Sequence, residues 1–150
     1  MHSAVLVLCL AIILSGCSTP AIVLDIRADQ MLNQDQQGYN YSVLVRLYQL
    51  KSLEQFGKAD YQLLLERNPA ALGDSLVSYE EFIVEPGEAY RLEFLREDGA
   101  EYQGLVAFFR SVEGEQWRLT GYLQNGLLSP MTTEFDVRLK DSGIYLIGQY

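Results

Sequence analysis

One cysteine near the start of the chain is the side chain best placed for covalent chemistry. Residues 4–14 form an apolar run, which ends in Leu14-Ser15-Gly16-Cys17. A run this short cannot cross a bilayer as a helix, which needs roughly 20 apolar residues, but it suits the core of a secretory signal. The small residues fit a signal-peptidase cleft, and the Cys17 thiol can accept a diacylglycerol. We predict that residues 1–16 are removed and that Cys17 is lipidated; an ordinary signal peptide with an accidental cysteine is the alternative.

The residue after this cysteine bears on the destination of the protein. Asp at that position tends to retain bacterial lipoproteins in the inner membrane, whereas here it is Ser18. We therefore expect attachment to the periplasmic leaflet of the outer membrane, where each buried methylene of the lipid contributes ~0.8 kcal/mol. Residues 17–21 form the lipidated N-terminus and its tether, at most ~3.6 Å per residue. The folded domain must lie close to the membrane.

The remaining composition excludes most catalytic chemistry. Cys9 and His2, the only other cysteine and the only histidine, both belong to the predicted signal. Zinc and copper sites, disulfides, thiol chemistry and Ser-His-Asp catalysis are therefore excluded, and we predict no metal and no cofactor apart from the lipid. The formal charge of −9 argues against nucleic acid and anionic headgroups as ligands. A hydrolase that uses two of the 20 Asp and Glu residues is the remaining enzymatic alternative.

The rest of the chain has the hydrophobic alternation typical of a β protein. Ile22, Leu24 and Ile26 recur at every second position, with Val23, Asp25 and Arg27 following each in turn, as in a strand with one buried face. Residues 41–50 are apolar on both faces, as in a central strand. Further strands are predicted at 77–84, 89–95, 104–110, 117–123, 133–140 and 144–147. These segments predict an all-β, two-sheet sandwich of about eight strands over residues 22–150. The predicted core includes Leu47, Val106, Phe108, Trp117, Phe135 and Val137.

Residues 52–75 interrupt the strands with a helical pattern. Ser52 is a candidate N-cap for a first helix, and Asn68 precedes Pro69, a residue well tolerated in a first helical turn. Gly73 would end the second helix. We predict a small helical insert packed on the sheet.

One segment loses all periodicity and is rich in Asn, Gln and Asp. A long loop in a compact domain is commonly either disordered or functional, and the apolar Met31 and Leu32 favour a binding role. The segment is not a calcium loop, because its twelfth ligand position, counted from Asn33, is Leu44 and not Glu. The candidate binding residues are Asp29, Gln30, Met31, Leu32, Asn33, Gln34, Asp35, Gln36, Gln37, Gly38, Tyr39 and Asn40.

Several short motifs, taken in order, resemble one known family. They are the 14–17 motif, 45–50 (VRLYQL), 59–61 (ADY) after Phe56, 72–74 (LGD), 85–87 (EPG) and 106–110 (VAFFR) with the later Trp117-Arg118. This order resembles TssJ, the outer-membrane lipoprotein of bacterial type VI secretion systems, over essentially the whole chain. The resemblance implies a transthyretin-like sandwich without enzymatic activity.

The same resemblance implies a partner. Members of the family bind the periplasmic C-terminal domain of TssM in a complex with TssL, and the loop between the first two strands carries much of that contact. Here that loop is residues 29–40, the segment already singled out by its spacing. The competing hypothesis is a stand-alone periplasmic β-sandwich lipoprotein that binds a glycan, on a platform made from some of its ten tyrosines, or that inhibits an enzyme.

Overall fold

The computed structural model describes residues 19–67 and 69–150. The predictions for Cys17, Ser18 and the Asn68 cap therefore lie outside the described residues. Of the helices that are described, none has both the length and the apolar character needed to cross a bilayer.

Eight strands form two four-stranded sheets, which confirms the predicted β-sandwich. The strands are β1 (Ala21–Leu32), β2 (Val43–Leu50), β3 (Leu76–Val84), β4 (Ala89–Leu95), β5 (Tyr102–Phe108), β6 (Arg118–Tyr122), β7 (Thr133–Asp141) and β8 (Gly143–Gln149). The first sheet has the order β4-β1-β7-β8, in which β1 and β7 are parallel and the other pairs antiparallel. The second sheet, β3-β2-β5-β6, is antiparallel throughout.

The main core lies between the two sheets. Alternate residues of β1 and β7 point into it because side chains along a strand alternate between its two faces. Phe135 and Val137 are fully buried, as is Leu47 from the second sheet. Trp117, just before β6, is also buried and packs edge-on against Tyr61 of the helical insert, with 5.3 Å between ring centroids. These four core predictions are confirmed.

A second apolar layer lies beneath the helical insert, on the outer face of the second sheet. The insert consists of α1 (Glu54–Lys58), α2 (Tyr61–Arg67) and a 3-10 helix (Pro69–Ser75). The Phe56 ring of α1 packs edge-on against Tyr48, with 5.7 Å between ring centroids. It also fills the space over Gly104, where a Cβ atom would lie 2.7 Å from Cζ of Phe56. Val106 and Phe108 are buried in this layer, so β2 and β5 are covered on both faces.

The predicted helix cap at Ser52 is wrong. The N-cap position of α1 is Leu53, which makes no side-chain cap hydrogen bond. The Ser52 hydroxyl instead lies 3.1 Å from that of Ser75, joining the two ends of the insert. The side-chain cap in this region belongs to α2, where the Asp60 carboxylate accepts from the backbone N–H of Leu63 at 2.7 Å.

The strand directions give the sandwich two distinct ends. At the tether end, the first described residues meet the 96–101 and 123–132 loops, since the Arg96 N–H donates to the Pro20 carbonyl at 3.0 Å and the Ala21 N–H to Thr132 Oγ1 at 3.1 Å. At the distal end lie the loop after β1, the 85–88 turn, the 109–117 loop and the β7–β8 junction. An element at one end is therefore separated from the other by the length of the strands.

Candidate functional site

The predicted binding segment is only partly a loop. Asp29, Gln30, Met31 and Leu32 belong to β1, which continues to Leu32 beyond a shift in register with β7. The Asp29 carbonyl accepts from the Gly87 N–H at 3.2 Å, and Leu32 is fully buried. The loop proper is residues 33–42, called the β1–β2 loop below, because β2 begins at Val43 and not at residue 41. Leu32 is a core residue and not a contact residue.

The Asp35 carboxylate fixes the shape of this loop. Its Oδ1 accepts from the backbone N–H groups of Gln37 and Tyr39, each at 2.9 Å, and its Oδ2 accepts from the Tyr41 hydroxyl at 2.8 Å. Desolvation alone would raise the pKa of Asp35, but the hydrogen bonds from Tyr39, Tyr41 and Gln37 outweigh it and hold the pKa below its ordinary value. Asp35 is therefore charged at neutral pH and closes the loop from within.

Asn33 anchors the base of the loop. Its φ of 52° lies in the left-handed region, and its side chain is buried. Nδ2 donates to the Ser42 carbonyl at 3.0 Å, and Oδ1 accepts from the backbone N–H of Arg110 at 2.8 Å. Asn33 thus connects the loop to the neighbouring 109–117 loop. It was predicted as a contact residue, but its burial makes it a positioning residue.

The exposed side chains of this end form the candidate contact surface. Met31, at the end of β1, and Tyr39, at the loop tip, are the largest exposed apolar groups of the predicted segment. Beside them the Arg110 guanidinium lies over the Tyr41 ring, with its carbon 4.4 Å from the centroid. Sequence reasoning did not select Arg110 or Tyr41 for this site, although residues 106–110 belonged to the motif that carried the resemblance. The other exposed members of the predicted segment are Gln30, Gln34, Gln36, Gln37, Gly38 and Asn40.

Two depressions, each of about 350 Å³, lie at the distal end beside the β7–β8 junction. Asp141, at the β7–β8 junction, lines both of them and itself has a φ of 54°. One is lined by Ala28, Asp29, Gln30, Met31, Gly87, Lys140 and Asp141, and the other by Ser111, Glu113, Gln116, Asp141, Ser142, Gly143 and Tyr145. The distal end is therefore an uneven surface, which suits a protein partner.

One close pair of carboxylates bears on the hydrolase alternative. Asp25 and Glu134 both bind Arg91 on the outer face of the first sheet, with Glu134 Oε1 2.8 Å from Arg91 Nη1. The hydrogen bond from Arg91 is the largest cause that lowers the pKa of Glu134, to about 2. A glycosidase acid needs a raised pKa, so this pair does not have the required electrostatics. Within residues 19–67 and 69–150, no three His, Cys, Asp or Glu side chains group as a metal site would require.

Comparison with known proteins assigns the chain to a family. Residues 20–142 match the family model described as type VI secretion lipoprotein, VasD, EvfM, TssJ. The chain belongs to this family of type VI secretion lipoproteins. The predicted resemblance is confirmed, and the family is not a known enzyme family. Membership implies association with a membrane. No curated protein matches the sequence.

Solved structures agree with the family assignment. The T6SS lipoprotein TssJ1 from Pseudomonas aeruginosa is 28% identical, with 87% of this chain and 98% of that chain covered and a TM-score of 0.74. A chain of a type VI membrane complex is 27% identical, with 87% and 100% covered and a TM-score of 0.74. A chain in the structure described as T6SS protein TssM C-terminal domain (869-1107) from EAEC is 25% identical, with 85% and 98% covered and a TM-score of 0.70.

Proposed function

We propose that this lipoprotein is a non-enzymatic assembly subunit of a type VI secretion membrane complex. Lipid on Cys17 anchors it in the periplasmic leaflet of the outer membrane, and its distal end binds the periplasmic C-terminal domain of TssM in a complex with TssL. The observation that carries the proposal is the β1–β2 loop, which Asp35 and Asn33 hold in one shape while Tyr39 and the adjacent Met31 stay exposed.

The lengths of the matched chains support TssM as the partner. In the structure of the TssM C-terminal domain, 85% of this 150-residue chain corresponds to 98% of the matched chain. That chain is therefore close in length to this one and much shorter than the TssM domain itself, residues 869-1107 of TssM. A TssJ-like chain accompanying the TssM domain accounts for this match.

The two ends of the sandwich support the orientation. The described chain starts at the tether end, and Cys17 precedes Pro20 by three residues, so the lipid lies within about 11 Å of that end. The β1–β2 loop lies at the distal end. A domain held this way points the loop away from the membrane, toward a subunit that approaches through the periplasm.

The fixed loop also favours tight binding. A loop that is already ordered loses little conformational entropy when a partner docks, and exposed aromatic side chains are common anchors of protein interfaces. The hydrogen bonds of Asp35 keep the loop ordered, and Tyr39, of which 67% is exposed, is available as an aromatic anchor.

Substitution of the two exposed anchors tests the proposal. The double variant Met31→Ala and Tyr39→Ala should bind the purified TssM domain about a thousandfold more weakly, since each buried anchor contributes roughly 2 kcal/mol. Binding is measured by titrating the mature lipoprotein in nanodiscs with that domain. Leu32 is left intact because its side chain belongs to the core.

The chain offers a matched control at the tether end. Tyr122 is 67% exposed, as Tyr39 is, and Met131 is an exposed methionine like Met31. The double variant Tyr122→Ala and Met131→Ala should bind the TssM domain like the unmodified protein. If both double variants bind normally, or both bind equally weakly, the distal end does not carry the contact.

A further inference from the structure

The two most exposed large apolar side chains among the described residues are neighbours. Leu127 is 99% exposed and Leu128 is 95% exposed. They form the tip of a turn in the 123–132 loop, between Gly126 and Ser129, whose backbone N–H and carbonyl are joined at 2.8 Å. Single exposed leucines are ordinary, whereas two at the tip of a closed turn form a small apolar projection.

A buried arginine holds the base of this turn. The Arg96 guanidinium donates to the carbonyls of Gln124 at 2.5 Å and Ala100 at 2.7 Å, and to the Asn125 side-chain oxygen at 2.9 Å. Because Arg96 also binds the Pro20 carbonyl through its own N–H, one residue connects the turn to the point where the tether enters the domain. The leucines are therefore presented by a fixed base.

The position of the tip relative to the lipid identifies what covers it. Cys17 lies three residues before Pro20, so its Cα atom can be no more than about 11 Å from Pro20, whose carbonyl Arg96 binds. The leucine tip thus projects from the end of the domain that the anchor draws against the bilayer. The bilayer is therefore the apolar medium that Leu127 and Leu128 can contact.

The neighbouring side chains fit a shallow contact with lipid. Tyr122 and Tyr150 are exposed at the same end, and tyrosine is enriched where an apolar ring meets polar headgroups. The exposed acidic residues Glu97, Asp98 and Glu101 lie in the adjacent loop, so charge does not attract this end to anionic lipid. Insertion is limited to the two leucines, with the acidic loop left in water.

We propose that Leu127 and Leu128 form a second membrane contact, which inserts into the periplasmic leaflet beside the acyl anchor. The contact rests on the proposed lipidation of Cys17, since two leucines alone bury too little area for stable attachment. Its effect is to stop the domain from rotating freely on its short tether. The β1–β2 loop is then held facing the periplasm.

A fluorescent probe beside the leucines tests this contact. Ser129→Cys leaves both leucines in place and supplies the one free thiol of the mature chain, because the thiol of Cys17 is consumed by the lipid. The labelled, acylated lipoprotein is reconstituted in vesicles of phosphatidylethanolamine and phosphatidylglycerol. A polarity-sensitive probe should show a blue shift and should be quenched by spin-labelled lipid. The same probe at Gln37→Cys, in the distal loop, should show neither effect.

The leucines themselves are then removed. Leu127→Ser with Leu128→Ser, in the Ser129→Cys background, should abolish the blue shift while the protein still sediments with vesicles through its lipid. If the probe at residue 129 reports an aqueous environment in vesicle-bound protein, the membrane contact of the leucines is refuted, whereas the proposed lipid anchor is not. A blue shift that appears only when the TssM domain is added also overturns it, because the tip then binds protein. Protein that stays in the supernatant refutes the anchor and this contact together.

Discussion

The fit between Phe135 and Gly121 is the most demanding feature of the core. Phe135 on β7 is fully buried, and it faces the second sheet where β6 has a glycine. A Cβ atom at Gly121 would overlap Cε1 of the Phe135 ring and would lie only 3.0 Å from Cζ of the same ring. The ring therefore occupies the space that a side chain at residue 121 would need.

This geometry determines how much two substitutions should destabilise the fold. Phe135→Ala removes a fully buried ring and should lower the free energy of unfolding by roughly 3–5 kcal/mol. Gly121→Ala forces the ring to move in a packed core and should cost about 1–3 kcal/mol. In a Phe135→Leu background the ring is absent, so the added methyl group should cost at least about 1 kcal/mol less.

Urea unfolding of wild type, Gly121→Ala, Phe135→Leu and the double variant measures the coupling energy between residues 121 and 135. Trp117 is the single tryptophan of the chain and is buried, so its fluorescence reports the loss of the core. Gly57→Ala serves as the control, because a Cβ atom there meets no atom within 4 Å and alanine favours the helix. Strictly additive effects at residues 121 and 135, or a harmless Gly121→Ala, would refute this account of the core.

Three further predictions follow from the anchor, the tether end and the outer face of the first sheet. Cys17→Ser should abolish recovery of the protein in outer-membrane fractions, and Ser18→Asp should move it to the inner membrane; normal fractionation of either variant contradicts the corresponding step. Arg96→Leu leaves buried carbonyls without donors and should lower the free energy of unfolding by about 2–4 kcal/mol in urea titrations, whereas a variant as stable as wild type would show that the arginine is dispensable. Because Arg91 lowers the pKa of Glu134 from 4.5 to about 2, the stability contributed by this pair is complete above pH 4.5 and is lost as the pH falls toward 2. The difference in melting temperature between wild type and Glu134→Gln should shrink over that pH interval, and a difference that stays constant would contradict the lowered pKa of Glu134.

The sequence alone predicts the strands whose side chains alternate. Ile22, Leu24 and Ile26 of β1 and Phe135 and Val137 of β7 are buried as their spacing indicates, because one register places every second side chain in the core. Apolar residues on both faces of β2 likewise predict its central position, which the helical insert completes. The order of motifs was also sufficient to indicate the family.

Only the tertiary structure decides where β1 ends. The composition of residues 29–32 predicts a loop, yet backbone hydrogen bonds from the 85–88 turn and pairing with Asp141 keep this segment extended and bury Leu32. These partners lie more than 50 residues away in sequence, so no local pattern records them. The Arg96 side chain is a related case, since two of its acceptors, Gln124 and Asn125, lie in the separate 123–132 loop. Local periodicity determines which face of a strand is buried, whereas the ends of strands and the shapes of loops depend on partners that only the folded chain brings together.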